Sequence, residues 1–360
     1  SSDVCSSDLA NASMSVRTGR ECFRALTTPE AVTLVSSAGK VRASVPAGSK
    51  ATADMVQTDE AFWSVFSFRF LSGTGFTRAD CDAGLPRAVL SATIARQLFG
   101  TTDVVGHTVQ LNYIDYTVAG VVADVSMLAT AAYAQIWVPY TAADAESLSW
   151  QDDTMGPMHA VILAHSSADF DAIRKETELL RQKYNDGLRD VEIFYRGQPD
   201  TQLAYLYRRW YAEPDVPGVM LRYGIVIAIL LLVPAVNLSG MTLSRMRRRM
   251  AEIGVRKAFG ATGGELIRQV FFENFVLTLL AGVVGLALSY AATFLLNDFL
   301  FSNSTNAYLS GETALTPGML LSPWAFIAAF AFCLLMNVLS AGIPAWRASR
   351  MNITDAINQR

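Results

Sequence analysis

Three long apolar runs, residues 223–243, 269–296 and 323–343, constrain this 360-residue chain more than anything else in it. From residue 269 to residue 346 there is neither Lys nor Arg, and a water-solvated surface does not tolerate such a stretch. The first run is uncharged over 21 residues and is flanked by Arg222 and Arg245. At ~1.5 Å per residue a helix of that length crosses a hydrocarbon core of about 30 Å. Pro234 lies inside it, which membrane helices accommodate, often by bending. The runs predict an all-α transmembrane domain, residues 219–360, with three helices.

Charge orients these helices. The connection over residues 244–268 holds seven basic and two acidic side chains. Short loops rich in Lys and Arg stay on the cytoplasmic side. Residues 297–322 have two acids and no base, which predicts the outer side, and the tail after residue 346 has three bases against one acid, which predicts the inner. Everything before the first span is then extracytoplasmic. The two parts also differ in balance: residues 1–222 carry 19 bases and 26 acids, residues 223–360 carry 10 and 6. An external domain requires export, yet the opening SSDVCSSDLANASM has neither a basic n-region nor an apolar h-region. The expectation is therefore a further N-terminal helix, four in the intact protein, with residues 1–20 an atypical or foreign segment.

Residues 21–215 read as an α+β domain on a mixed sheet. Residues 31–36 and 41–45 are β-branched runs around SAGK, a predicted hairpin. Residues 53–57 look extended. Phe62, Phe66 and Phe70 recur every four residues in DEAFWSVFSFRFLSGTGF and predict a buried aromatic helix face. PRAVLSATIARQLFG predicts a strand entering a helix capped by Ser91 and ended by Gly100. Val109, Leu111 and Tyr113 alternate, as do Tyr116 and Val118, so a hairpin turning near residues 112–115 is expected. Further strands are predicted at 135–139, 160–164 and 191–195, and a helix at 167–184 with Phe170, Ile173, Thr177 and Leu180 on one side.

Catalytic signals are missing. No glycine loop ends in Lys-Ser or Lys-Thr, so the chain carries no phosphate-cradling ATPase motif. His107, His159 and His165 lack metal-ligand spacing, and no nucleophile with a base and an orienting group stands out. The acidic external part, without a basic aromatic stripe, argues against nucleic acid. Cys22 and Cys81 share the external domain; a disulfide is compatible with that compartment, but spacing does not establish its geometry.

The segment MAEIGVRKAFGATGGELIRQVFFENFVLTLLAGVVG, residues 250–285, resembles the core of the FtsX-like permease domain of MacB-type ABC transporters. The tail GIPAWRASRMNITDAI resembles that family's closing motif. SFRFLSGTGF, AVLSATIARQLFG and GHTVQLNYIDYTVAGVVADV are similar to the periplasmic core domain between the first two helices of those permeases. Departures are the absent first helix, Asn352-Ile353-Thr354-Asp355 in place of a proline and a glutamate, and the lack of a fused ATPase domain.

The resemblance implies a permease subunit in a bacterial inner membrane, paired with a second permease subunit, homo- or heterodimeric, and with a cytoplasmic ATPase that holds ATP and Mg. A periplasmic adaptor is a further implied partner, and no cofactor is expected on this chain. Glu252, Ile253, Gly254, Val255, Arg256, Lys257, Phe259 and Gly260 correspond to the coupling helix that seats on the ATPase. Read from the residues alone, Glu252 and Arg256 form an i,i+4 pair worth only about 0.3–0.5 kcal/mol, compatible equally with a solvated helix face. Arg247, Arg248 and Arg249 fix topology or meet anionic head groups. Glu273, an acid just inside an apolar helix, suits an interfacial position, either structural or force-transmitting. Gly282 and Gly285 allow close helix approach, within the chain or across a dimer.

Overall fold

The computed structural model describes residues 13–46, 48–126, 129–145, 147–189, 191–208, 214–233, 236, 255, 259–260, 262–295, 324 and 326–336. Two compact units divide the described residues after Pro214. The first contains helices α1 (Val16–Gly19), α2 (Phe62–Val65), α3 (Arg78–Asp82), α4 (Ala92–Phe99), α5 (Phe170–Asn185) and α6 (Gln202–Tyr207). Its strands are β1 (Ala31–Ser36), β2 (Gly39–Ser44), β3 (Lys50–Thr58), β4 (Phe70–Gly73), β5 (Arg87–Ser91), β6 (Thr108–Leu111), β7 (Ile114–Val122), β8 (Ile136–Pro139) and β9 (Met158–Leu163). The second contains α7 (Val216–Val233), α8 (Gly263–Leu295) and α9 (Phe326–Met336).

The mixed sheet closes on itself. Around the ring β2 pairs with β6, β6 with β7, β7 with β5, β5 with β8, β8 with β3, and β3 with β2. Pairs β3–β8 and β5–β7 are parallel and the others antiparallel. Alternation sorts the side chains between two faces of this six-stranded barrel. Ala88 and Leu90 of β5 and Ile136 and Val138 of β8 join Val41, Ala53, Val109, Leu111 and Val118 in one inner cluster, onto which α4 packs Ile94, Ala95 and Leu98. The intervening Val89 and Trp137 face outward into a second cluster with Phe62 and Phe76. A barrel of this size is filled by its own side chains rather than hollow.

Local signals held where the interaction was local. The Ser91 hydroxyl accepts from the Ile94 N–H, and Gly100 ends α4 at φ 77°. The β6–β7 turn has two residues, Asn112 at φ 48° and Tyr113 at φ 71°, both positive as a type I′ hairpin requires. Tyr113 thus sits at the exposed tip instead of continuing the alternation, and the Asn112 side chain accepts from the Arg42 N–H at 3.0 Å, joining the tip to β2.

Other expectations are corrected. Residues 31–36 and 41–45 do not form a hairpin: β2 folds onto β3, in register from Gly39↔Met55 to Ser44↔Lys50, while β1 pairs along its length with β9. The aromatic helix stops at Val65, because Phe66 is extended (φ −116°, ψ 133°). Phe62, Trp63, Phe66, Phe68, Phe70 and Phe76 still cluster against Trp137, through edge and tilted ring contacts such as Phe62–Phe66 at 4.9 Å, contributed by α2, β4 and their loops. Residues 191–195 form no strand. The Asn185 carboxamide pairs with both backbone groups of Ile193, at 3.0 and 3.1 Å, and Arg181 donates to the same carbonyl at 2.7 Å. Side chains of α5 thus replace a neighbouring strand.

The structured domain also begins before residue 21. Val16 and Thr18 are buried, Ser15 caps α1 while donating to the Asp153 carbonyl, and Met14 exchanges backbone bonds with Met158 of β9. Cys22 and Cys81 are both free and buried in different clusters, so they do not pair. Burial pushes both thiols up, Cys81 to about 12.

Candidate functional site

The loop predicted to be cytoplasmic and to meet an ATPase is described at its C-terminal end. Glu252, Ile253, Gly254, Arg256 and Lys257, and Arg247, Arg248 and Arg249, lie outside the described residues. Val255 is helical, and the Phe259 N–H donates to its carbonyl at 3.1 Å. Both side chains are bare: Val255 is 50% exposed and Phe259 88%. Gly260 follows at φ 93°, a left-handed conformation that glycine adopts without strain, and ends that turn.

The chain then re-enters a helix through a capping box. The Thr262 hydroxyl accepts from the Glu265 N–H at 3.4 Å, and the Glu265 carboxylate accepts from the Thr262 N–H at 3.0 Å. The Thr262 backbone N–H first, and its side chain second, hold the Glu265 carboxyl below its ordinary range, which keeps a negative charge on the first turn of α8. Thr262-x-x-Glu265 was legible in the sequence as a capping pattern and defines where the long helix starts.

Along α8, Glu273 is exposed at the third position of an apolar window that runs from Phe271 to Ala292. Gly282 faces α9: a Cβ there would meet the Phe330 ring at 3.3 Å. A Cβ at Gly285 would meet nothing within 4 Å. Of the two small-residue positions, Gly282 makes a helix contact within the chain. Among the described residues, α7 and α8 are long and apolar enough to cross a membrane. Helix α7 starts at Val216 and α8 at Gly263, each earlier than its apolar run.

In the external domain the most constrained polar group is Asp59, after β3. It accepts from the Thr33 hydroxyl at 2.8 Å and from the Leu34 N–H at 2.9 Å, and meets Arg24 at 2.6 Å. Arg24 reaches Glu60 as well, at 2.9 Å. Burial pushes the Asp59 carboxyl up against the pull of Arg24. Glu176 of α5 plays the same part in the open: burial raises it, but the hydroxyls and N–H groups of Thr28 and Thr27 hold it down to about 2. The His159 ring lies 3.1 Å from both the Ser13 and Ser37 hydroxyls, and His165 lies 3.8 Å from Glu30. Among the described residues no three His, Cys, Asp or Glu side chains group as a metal site. These arrangements tie segments of the domain together.

Residues 6–180 match the MacB-like periplasmic core domain, and residues 224–353 match the FtsX-like permease C-terminal domain. The first match also begins before residue 21. The macrolide export ATP-binding/permease protein MacB of Chromobacterium violaceum is 26% identical over 305 residues, covering 85% of this chain and 43% of that protein. The uncharacterized ABC transporter permease YknZ of Bacillus subtilis is 25% identical over 301 residues, 83% of this chain and 68% of that one. The chain thus spans less than half the length of the ATP-binding/permease relatives it matches. The periplasmic region of MacB from Actinobacillus actinomycetemcomitans overlays 48% of this chain and 75% of its own, with a TM-score of 0.39 and 18% identity. With a periplasmic core domain and a permease domain matched in tandem along one sequence, this chain belongs to the MacB-like, FtsX-like family of ABC transporter permeases.

Proposed function

We propose that this chain is the permease subunit of an export complex in a bacterial inner membrane, with a separate ATPase supplying ATP hydrolysis and Mg. Two permease subunits, alike or different, would pair in the membrane. The observation that carries this reading is the apolar pair Val255 and Phe259, exposed one turn apart on a strongly basic connection between two apolar helices. Water does not reward such a pair, whereas an apolar cleft on a soluble partner does. Glu252, Arg256 and Lys257 would ring the contact with charge, Arg247, Arg248 and Arg249 would hold the loop at anionic head groups, and Glu273 would sit near the interface.

In this reading the ATPases close, the loop moves, and α8 carries the displacement outward because the Thr262–Glu265 box joins the loop stiffly to the helix. The relatives' names support export: one is a macrolide exporter and another exports pyoverdine. Peptides, drugs and lipoproteins are the cargo classes proposed here, with a periplasmic adaptor as a further partner. The test exchanges the loop charges, Glu252→Lys with Arg256→Glu. Membrane insertion is expected to persist and co-purification with the ATPase to be lost; undiminished ATPase binding refutes the assignment.

The filled barrel favours one second reading. A domain with a solid apolar centre offers cargo no passage through itself and suits a body that is moved. The chain would then relay ATPase motion to a cell-wall enzyme or signalling partner outside. Export predicts ATP-dependent movement of a cargo, whereas a relay predicts activation of a bound periplasmic enzyme with no cargo moved.

A further inference from the structure

Helix α6 has the wrong side in. Of its six residues only Ala204 is buried, while Leu203, Tyr205 and Leu206 are 42%, 57% and 64% exposed. A helix on a water-facing surface turns its large apolar residues inward and its small or polar ones outward. Here the smallest faces the domain and the large ones cover most of the remaining circumference.

Nor is α6 loosely held, as a helix that had simply failed to pack would be. Arg208, just past its end, grips Asp200, just before its start, through two hydrogen bonds from Nε and Nη2. The pair is buried, the side chains 12% and 7% exposed. Nη2 of Arg208 also donates to the Arg196 carbonyl at 3.2 Å, and Arg174 of α5 donates to the Pro199 carbonyl at 3.3 Å. Thr201 caps the helix, accepting from the Ala204 N–H at 3.2 Å. Both ends are therefore clamped to α5 and its flanking loop, with the apolar residues held outward.

We infer that α6 is a membrane-interface anchor: Leu203, Tyr205 and Leu206 insert among the lipid head groups of the outer leaflet. Chain length limits the alternatives. Eight residues separate Tyr207 from Val216, where α7 begins, so a fully extended connection reaches only about 28 Å. The composition through this stretch, Tyr205, Tyr207, Arg209, Trp210 and Tyr211, with Arg208 already engaged by Asp200, is that of a bilayer interface, where aromatic rings lie at head-group level and an arginine extends toward phosphates. The inference rests on α7 being a membrane span.

The test uses the full-length chain in phosphatidylcholine/phosphatidylglycerol nanodiscs, with Cys5→Ser and Cys333→Ser and an environment-sensitive fluorophore on Leu206→Cys. A second variant carries it on Tyr205→Cys, in case one substitution disturbs the helix, and a third on Ile227→Cys within α7. Quenching by lipids doxyl-labelled near the head group is expected to exceed quenching by lipids labelled at the chain end by at least twofold at 206 and 205, and the reverse at 227. Labels at 206 and 205 that no lipid quenches, beside a quenched 227, overturn the anchor and leave the span intact. Shielding at 206 only after a second protein is added also overturns it, in favour of a protein partner. An unquenched 227 overturns the span reading, and the anchor with it.

Discussion

Leucine behaves in opposite ways in the two parts of this molecule. In the external domain Leu34 and Leu90 are fully buried, whereas in α7 Leu230 and Leu232 are 67% and 59% exposed. Burying such a side chain is worth about 1.5–3 kcal/mol in water, so the barrel folds by removing leucine from solvent. α7 forgoes that gain at position after position. The difference shows that the two regions are stable against different surroundings: one builds its own apolar interior, and the other fits an apolar exterior. Polar groups follow the same division. Asp59 is buried with a partner for each oxygen, while the apolar stretches of α7 and α8 leave backbone bonding to the helix itself.

The largest effect expected in the external domain is at Asp59. Asp59→Ala leaves Arg24 with Glu60 alone and takes the acceptor from the Leu34 N–H and the Thr33 hydroxyl, and is expected to destabilise the domain by about 3–5 kcal/mol. Urea unfolding of the full chain in detergent, followed by tryptophan fluorescence, measures it; a loss below about 1 kcal/mol would show that the buried network is not what ties residues 16–24 to the barrel.

The leucine contrast is directly breakable. Leu90→Ala should cost about 2–5 kcal/mol in the same assay, because it opens a cavity inside the barrel. Leu230→Ala should leave the external domain's transition within about 0.5 kcal/mol of its starting value. Equal costs at both positions would mean that α7 is packed as a core helix.

Glycines sharpen the comparison on a smaller scale. Gly73 has φ 64° and a Cβ there would meet the Ala119 carbonyl at 2.2 Å, so Gly73→Ala should lower thermal stability by about 1–3 kcal/mol. Gly285→Ala, in open space on a regular helix, should be neutral or slightly stabilising. A tolerated Gly73→Ala would show that β4 does not need its close approach to β7.

The smallest expected loss of stability in the external domain is electrostatic. Glu176 titrates near 2 when folded against an ordinary 4.5, so its ionised form is the one folding favours. Its contribution is present in full above pH ~4.5 and fades as pH falls toward 2. Solvent screens this largely exposed carboxylate, so Glu176→Gln should cost only about 1 kcal/mol at pH 7 and progressively less in acid. A difference independent of pH would assign the effect to shape rather than charge.

Particular elements show what could be read in advance. The α4 caps and the β6–β7 hairpin were legible because their partners lie within a few residues. Residues 31–36 and 191–195 were misread for the opposite reason. A β-branched run does not say which strand it joins, and β1 chose β9, more than a hundred residues away. Nor does it say whether a strand will join it, since α5 side chains satisfy Ile193. The Thr262–Glu265 box is equally local and was missed, although its spacing is that of a capping pattern.

By itself the sequence settled the division into an acidic α+β domain and a set of apolar helices, along with the family. Hydropathy and charge are sums over neighbouring residues and need no partner to be evaluated. Barrel closure, the separation of Cys22 from Cys81, and the outward turn of Leu203, Tyr205 and Leu206 were decided only by tertiary structure. Each depends on which distant segment supplies the hydrogen bond or ion pair, and that choice is made by the whole fold at once.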